Sequence, residues 1–171
     1  MATIITTERL YLRTITTEDA AFYLALVNDP AFITNIRDKG LRTLEQAQTD
    51  IVNGPMANQK KIGFSLYVME RKEDGQAIGL CGLVKRETLK NVDIGYALLP
   101  QFIGQGYASE AARATLEYAN QHLRITKLAG ITSPDNAASN KLLQSLGFKL
   151  EAVVVLTGES RDTNLYGYEF C

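Results

Sequence analysis

Pro100-Gln101-Phe102-Ile103-Gly104-Gln105-Gly106-Tyr107-Ala108-Ser109-Glu110-Ala111-Ala112 is the stretch from which the rest of the chain is read. A strand-like run, Val92-Asp93-Ile94-Gly95-Tyr96-Ala97-Leu98-Leu99, leads into it, and an alanine-rich pattern with helical spacing leads out. A strand, a glycine-bearing turn and a helix start are the parts of an anion cradle. The glycines clear side chains so that backbone N–H groups can approach a phosphate, and the helix N-terminus adds about half a positive charge. A bare Gly-x-Gly equally suits an ordinary tight strand-to-helix turn. Spacing excludes two nucleotide loops. A P-loop needs a lysine directly after its last glycine, and Tyr107 follows Gly106; a dinucleotide fingerprint needs a third glycine where Ser109 stands. What remains is Gln-x-x-Gly-x-Gly, from Gln101 to Gly106.

Composition narrows the field. A chain of 171 residues reads as one domain, residues 1–171, large enough to bury a core. A net charge of −1 with acids and bases interspersed lacks the basic face of a nucleic-acid binder. No apolar run approaches the roughly 20 residues of a membrane helix, and Met1-Ala2-Thr3-Ile4-Ile5 shows no secretory leader. The expectation is a cytoplasmic protein without membrane or nucleic-acid partners. The two cysteines, Cys81 and Cys171, read as an unpaired mid-strand thiol and a chain end, and the single histidine, His122, as a helix-end surface residue. No metal site is expected from this set.

Taken in order, Leu10–Ile15 alternates as a first strand, and Thr16 or Thr17 caps a helix ended by Asn28-Asp29-Pro30. Ala31 to Gly40 reads as irregular. Thr43-Leu44-Glu45-Gln46 is a capping box that opens a second helix, stopped by Gly54-Pro55. Strands follow at Ile62–Glu70, Gln76–Lys85 and Val92–Leu99, the first two joined at Asp74-Gly75. Gly79 and Gly82 suggest a bulge or a close backbone approach. After the glycine loop come a helix over Ala108–Leu123, a strand at Lys127–Thr132 and a helix from Asn136 to Gly147. Strands at Phe148–Val153 and Asn164–Phe170 complete the order. This order predicts an α/β (α+β) fold: a mixed, mostly antiparallel central sheet with helices on both faces.

Four features together resemble the GNAT superfamily of N-acetyltransferases, in the branch related to the ribosomal-protein N-terminal acetyltransferases (RimJ/RimL-like). They are the loop Gln101-x-x-Gly104-x-Gly106 with Tyr107-Ala108-Ser109-Glu110-Ala111, and the strand Asp93-Ile94-Gly95-Tyr96-Ala97-Leu98 before it. The others are Asn136-x-x-Ser139-x-Lys141-Leu142-Leu143-x-x-Leu146-Gly147-Phe148 and the start Thr7-Glu8-Arg9-Leu10-x-Leu12-Arg13. The resemblance covers essentially the whole chain and implies acetyl-CoA as co-substrate. It implies that the strand through Tyr96, Ala97, Leu98 and Leu99 holds the pantetheine arm by backbone hydrogen bonds, as an added strand would. Gln101, Gly104, Gln105, Gly106, Tyr107 and Ala108 would cradle the pyrophosphate. Asn136 would bond the pantetheine or the end of the acyl arm, and Lys141 would reach a CoA phosphate unless it is simply a solvated helix residue.

Amide formation from a thioester and an amine needs a base for the ammonium, donors for the developing oxyanion and a proton for the leaving thiolate. A lysine-like amine with a pKa of about 10.4 is only about one part in a thousand free at pH 7.4, a penalty of roughly 4 kcal/mol. Asp93 is the candidate base; the family often carries a Glu on this strand, and the shorter Asp favours a bridging water. A strand-end Asp also makes turn hydrogen bonds. The oxyanion donors are sought at the backbone near Tyr96 and Ala97. The family's tyrosine acid falls on Leu143, which has no proton to give, so Ser139, whose hydroxyl would also bind the cofactor by hydrogen-bonding the CoA sulfur, is the candidate acid and Tyr96 the reserve; serine also suits the first turn of any helix. The expected activity is direct acetyl transfer to a primary amine, a protein N-terminus or a small molecule. The alternative is a catalytically inactive acyl-CoA-binding or sensor module. The segment Asn28–Gln59 and the hairpin Thr157–Asn164 are expected to wall the acceptor side, in a monomer or a homodimer.

Overall fold

The computed structural model describes residues 1–171. Eight strands form one sheet in the order β1-β2-β3-β4-β5-β6-β8-β7. Their ranges are β1 Thr3–Thr6, β2 Leu10–Arg13, β3 Leu66–Arg71, β4 Ala77–Val84, β5 Val92–Leu98, β6 Lys127–Thr132, β7 Lys149–Val154 and β8 Thr163–Glu169. Every neighbouring pair is antiparallel except β5 and β6. The helices are α1 Ala20–Val27, α2 Pro30–Asn35, α3 Leu44–Ile51, α4 Ala57–Ile62, α5 Tyr107–Gln121 and α6 Ala137–Ser145. The expected mixed, mostly antiparallel sheet with helices on both faces is what forms.

Side-chain alternation along the strands sorts the two faces. On β3, Tyr67 and Met69 point toward α5 and share a cluster with Tyr107 and Ala111. Val68, between them, points the other way and packs with Tyr23, Leu26 and Ile51 of α1 and α3. Three of the alanines of α5, Ala111, Ala112 and Ala119, are wholly buried, which brings that helix close to the strands. A second cluster under α5 and α6 joins Leu83, Ile94, Leu116, Leu128, Leu143 and Tyr166. Gly79 and Gly82 mark close backbone approach: a Cβ on Gly79 would strike Ala97 O, and one on Gly82 would strike Ser65 O.

Three elements depart from the sequence expectation. Thr3–Thr6 forms an edge strand, with Ile5 opposite Leu12; four residues are too few for alternation to announce it. The segment after Asp29-Pro30 is helical, not irregular. Asp29 Oδ2 accepts the Ala31 N–H at 3.1 Å and Pro30 fits the first helical turn, so the dipeptide that ends α1 also starts α2. Gly54-Pro55 does not stop the helix opened by Thr43. The backbone widens into one π turn over Val52–Met56, which accommodates the proline ring and its missing N–H, and runs on into α4. Gly63, at φ +84°, ends it, so β3 begins at Leu66 and not at Ile62. The capping box itself forms: Thr43 Oγ1 accepts the Gln46 N–H at 3.1 Å, and Gln46 Oε1 accepts the Thr43 N–H at 3.2 Å.

Candidate active site

The site is built where the sheet splits. β6 pairs with β5 only over Val92–Ile94, then continues along β8 to Thr132. Gly95–Leu98 therefore keep β4 on one side and have no strand on the other. The Leu99 N–H bonds Ile78 O at 2.9 Å, and this sets the phase of the β4–β5 ladder. Antiparallel alternation then turns the backbone of Ala97 to β4 and the backbone groups of Tyr96 and Leu98 to the open side of the fork. An extended chain of amides can lie along that free edge as an added strand.

Asn140 anchors the far arm of the fork. Its Oδ1 receives the Thr132 hydroxyl, the Asn164 Nδ2–H at 3.0 Å and the Tyr166 hydroxyl at 2.9 Å. Its Nδ2 donates to Asn136 O at 2.9 Å. One amide thus ties the end of β6, the start of β8 and the N-terminus of α6 together. The sequence reading passed over Asn140, because nothing local distinguishes it from its neighbours Ser139 and Lys141; only the strands it joins do.

At the end of β5 the chain makes one 3₁₀ turn, Pro100–Phe102, and enters the glycine loop. Gly104 and Gly106 both sit at φ +83°, where an L side chain is strained. Their turn presents the loop amides in a row. No N–H from Gly104 through Ser109 reaches a backbone carbonyl; the first bond of α5 is the Glu110 N–H to Gly106 O at 3.1 Å. Six consecutive donors without backbone partners stand at the N-terminus of a 15-residue helix, an arrangement that could hold an anion.

Asp93 lies at the crotch of the fork, beside Ala129 of β6, and is 1 % exposed. Arg86 Nε donates to its Oδ2 at 2.9 Å, while Oδ1 is buried without a partner. Burial pushes the carboxyl up to about 6, against the pull of the Arg86 guanidinium. On the other face of β5, Tyr96 Oη and Ser139 Oγ are 2.8 Å apart, so the two candidate acids form one hydrogen-bonded pair between β5 and α6. Burial pushes the Tyr96 phenol up to about 12, opposed by its Ser139 partner, so it holds its proton at neutral pH. Asn136 caps α6 by accepting the Ser139 N–H at 3.3 Å, which occupies its Oδ1. Lys141 is exposed on α6. Leu143 is buried against Gly130 and Phe148, so the position where the resemblance puts a tyrosine acid serves the core.

Cys81 is buried beside Thr115, and burial pushes its thiol up to about 12, which makes it a poor nucleophile. His122 stacks on Tyr118 at the end of α5, away from the fork. No group of His, Cys, Asp and Glu is arranged to hold a metal ion. No helix is long and apolar enough to cross a membrane. The two expected acceptor walls meet: the Arg161 guanidinium, on the β7–β8 hairpin, donates to Thr34 O at 2.9 Å and to Ile36 O, at the C-terminus of α2.

Residues 9–149 match the family model of the acetyltransferase (GNAT) domain. This chain belongs to the GNAT acetyltransferase family. Among its relatives is a Bacillus subtilis (strain 168) protein, YkkB, 35% identical over 144 residues covering 82% of each chain. An N-acetyltransferase from the same organism, YoaA, is 29% identical over 171 residues, 97% of this chain and 96% of its own. The fold is shared with RimL, a ribosomal L7/L12 alpha-N-protein acetyltransferase solved in complex with coenzyme A. That likeness has a TM-score of 0.83 at 20% identity and covers 98% of both chains. The GNAT family reaction is acetyl transfer from acetyl-CoA, and in this acetyltransferase the split sheet and the glycine loop lie next to each other in the chain.

Proposed function

We propose that this GNAT enzyme transfers acetyl from acetyl-CoA directly to a primary amine, a protein N-terminus or a small-molecule amine, within a ternary complex. The observation that carries the reading is the run of six unpartnered amides, Gly104–Ser109, placed one turn beyond the open edge of β5. A diphosphate accepts from the first, and the amide-bearing arm next to it pairs with the second. When bound, acetyl-CoA supplies the thioester that the amine attacks. Gly104, Gln105, Gly106, Tyr107 and Ala108 hold the diphosphate, assisted by Gln101. Along Tyr96–Leu99 the backbone groups of Tyr96 and Leu98 offer the free edge that orients the arm, Ala97 and Leu99 being turned to β4, and the Tyr96 N–H, turned to the fork, is the oxyanion donor. Asn136 and Lys141 line the α6 side.

Asp93 is proposed as the base. Its burial keeps it off the surface, so it takes the ammonium proton across a bridging water. Its raised pKa brings it closer to the working pH, where a base is most effective. Ser139 Oγ, backed by Tyr96 Oη, is proposed as the proton source for the leaving sulfur as the amide bond forms and the C–S bond breaks. A buried, high-pKa Cys81 supports direct transfer over an acyl-cysteine route.

A second reading, an acyl-CoA sensor without turnover, draws on Leu143 standing in the core where a tyrosine acid is expected. Release of CoA by purified protein, with acetyl-CoA and a panel of peptide N-termini, polyamines and aminoglycosides, separates the two. Amine-dependent release that collapses in Asp93→Ala supports the enzyme. Tight acetyl-CoA binding with no release on any amine favours the sensor.

A further inference from the structure

The glycine loop is held from outside by a residue far away in sequence. Arg9, in the turn between β1 and β2, lays its guanidinium over the Tyr107 ring, 4.2 Å from the centroid. Its Nε donates to Glu110 Oε1 at 2.8 Å, and its Nη1 donates to the Gln105 carbonyl at 3.0 Å. The other Glu110 oxygen, Oε2, receives the Thr7 hydroxyl at 2.6 Å and the Arg9 N–H at 2.9 Å. Gln105 in turn donates through Nε2 to Gln101 O at 3.1 Å. A Cβ at Gly106 would come within 3.3 Å of Arg9 Nη2, so loop and guanidinium are in close contact.

We propose that Arg9 is the positioning residue of the anion loop: by bonding the Gln105 carbonyl from behind, it turns the Gly106 amide outward within the unpartnered run Gly104–Ser109. This rests on the reading of that loop as the diphosphate cradle. A peptide plane with its C=O tied on one side presents the next N–H to the other side, so one bond at Gln105 O orients the Gly106 amide. The same guanidinium neutralises Glu110, whose carboxylate in the first turn of α5 would otherwise repel an incoming phosphate. Only a planar fork can serve both: Nε meets a carboxylate while Nη1 meets a carbonyl. A lysine at this position reaches one or the other.

The test separates diphosphate binding from the rest of the site. Affinities for acetyl-CoA and for acetyl-pantetheine, which has no diphosphate, and kcat/KM for acetyl-pantetheine are measured on the full chain as wild type, Arg9→Ala and Arg9→Lys, with Tm as a folding control. Arg9→Ala is expected to weaken acetyl-CoA binding about 30-fold, the scale of a lost charge-assisted hydrogen bond with an exposed like charge. Acetyl-pantetheine turnover is expected to stay within about twofold, and Arg9→Lys to fall between. Arg9→Lys keeps the Glu110 ion pair and remains informative if Arg9→Ala does not fold. An equal loss on both substrates, or no loss on acetyl-CoA, overturns the role of Arg9 and leaves the loop reading intact. A wild type that binds acetyl-CoA no better than acetyl-pantetheine overturns both, and the wild-type measurement alone reveals it.

Discussion

Asp93 pairs its Oδ2 with Arg86 and leaves Oδ1 alone in the interior, and the measurable consequence is a pH dependence. Its carboxyl titrates near 6 in the fold, against 3.8 for an unperturbed Asp. The folded state therefore keeps a proton that the unfolded chain has already released. The stability this confers is fully present below about pH 4 and is lost as pH rises through about 6, a swing on the order of 3 kcal/mol. Denaturant unfolding from pH 4 to 8 should show this slope in the wild type and not in Asp93→Asn; a constant difference between the two would refute it. The same group as base predicts a kcat/KM that rises with pH through about 6 and loses that limb in Asp93→Asn. At the neighbouring pair, Ser139→Ala should lower kcat about 10- to 100-fold while leaving the acetyl-CoA KM nearly unchanged, because proton delivery is needed in the transition state and not in binding. A loss confined to KM would make Ser139 a binding residue.

At the scale of elements, the glycine loop and the helix it opens are the most local part of the site. Gly104 and Gly106 share one backbone conformation, φ +83°, but not one environment: a Cβ at Gly104 meets nothing within 4 Å, whereas one at Gly106 meets Arg9. Each Gly→Ala change costs roughly 1–2 kcal/mol of left-handed strain. Gly106→Ala should raise the acetyl-CoA KM about tenfold or more, and Gly104→Ala less, in steady-state kinetics. Equal effects would mean that strain alone matters. The loop was legible because its signal is in adjacent residues: two glycines, a missing lysine and a helical period behind them. The π turn at Val52–Met56 was not, because Gly-Pro stops a helix in most settings. Here the buried Pro55 and the packing of Ile51 under Tyr23 and Leu26 keep the chain helical through it.

For the molecule as a whole, Arg161 joins the β7–β8 hairpin to the last carbonyls of α2 across 127 residues of sequence, and these are the two segments proposed to wall the acceptor. Loss of that contact frees both walls without touching the glycine loop. Arg161→Ala should therefore raise the KM for the amine about fivefold, the scale of one net hydrogen bond, and leave the KM for acetyl-CoA as it is. Initial-rate kinetics with each substrate varied in turn decide it; a matching change in both constants would place Arg161 in general stability. The cationic anchor at one end, Arg9, and the latch at the other, Arg161, both act on backbone carbonyls, so each couples side-chain chemistry to the shape of a loop.

Most of the element order and the glycine loop are read from sequence alone, since periodicity, capping and turn chemistry are carried by neighbours in the chain; Asp93, Tyr96, Asn136 and Ser139 are expectations that the family resemblance supplies. The family follows from four such motifs in the right order. Tertiary structure alone decided where β5 and β6 part, since the number of rungs two parallel strands share depends on what holds them apart. Here Asn140 ties β6 to β8 and α6, while the Tyr96–Ser139 pair ties β5 to α6. It alone placed Asp93 out of water, because burial is a property of everything packed around a side chain. And it alone brought Arg9 to the glycine loop, 101 residues from Glu110, through contacts that leave no trace in local sequence.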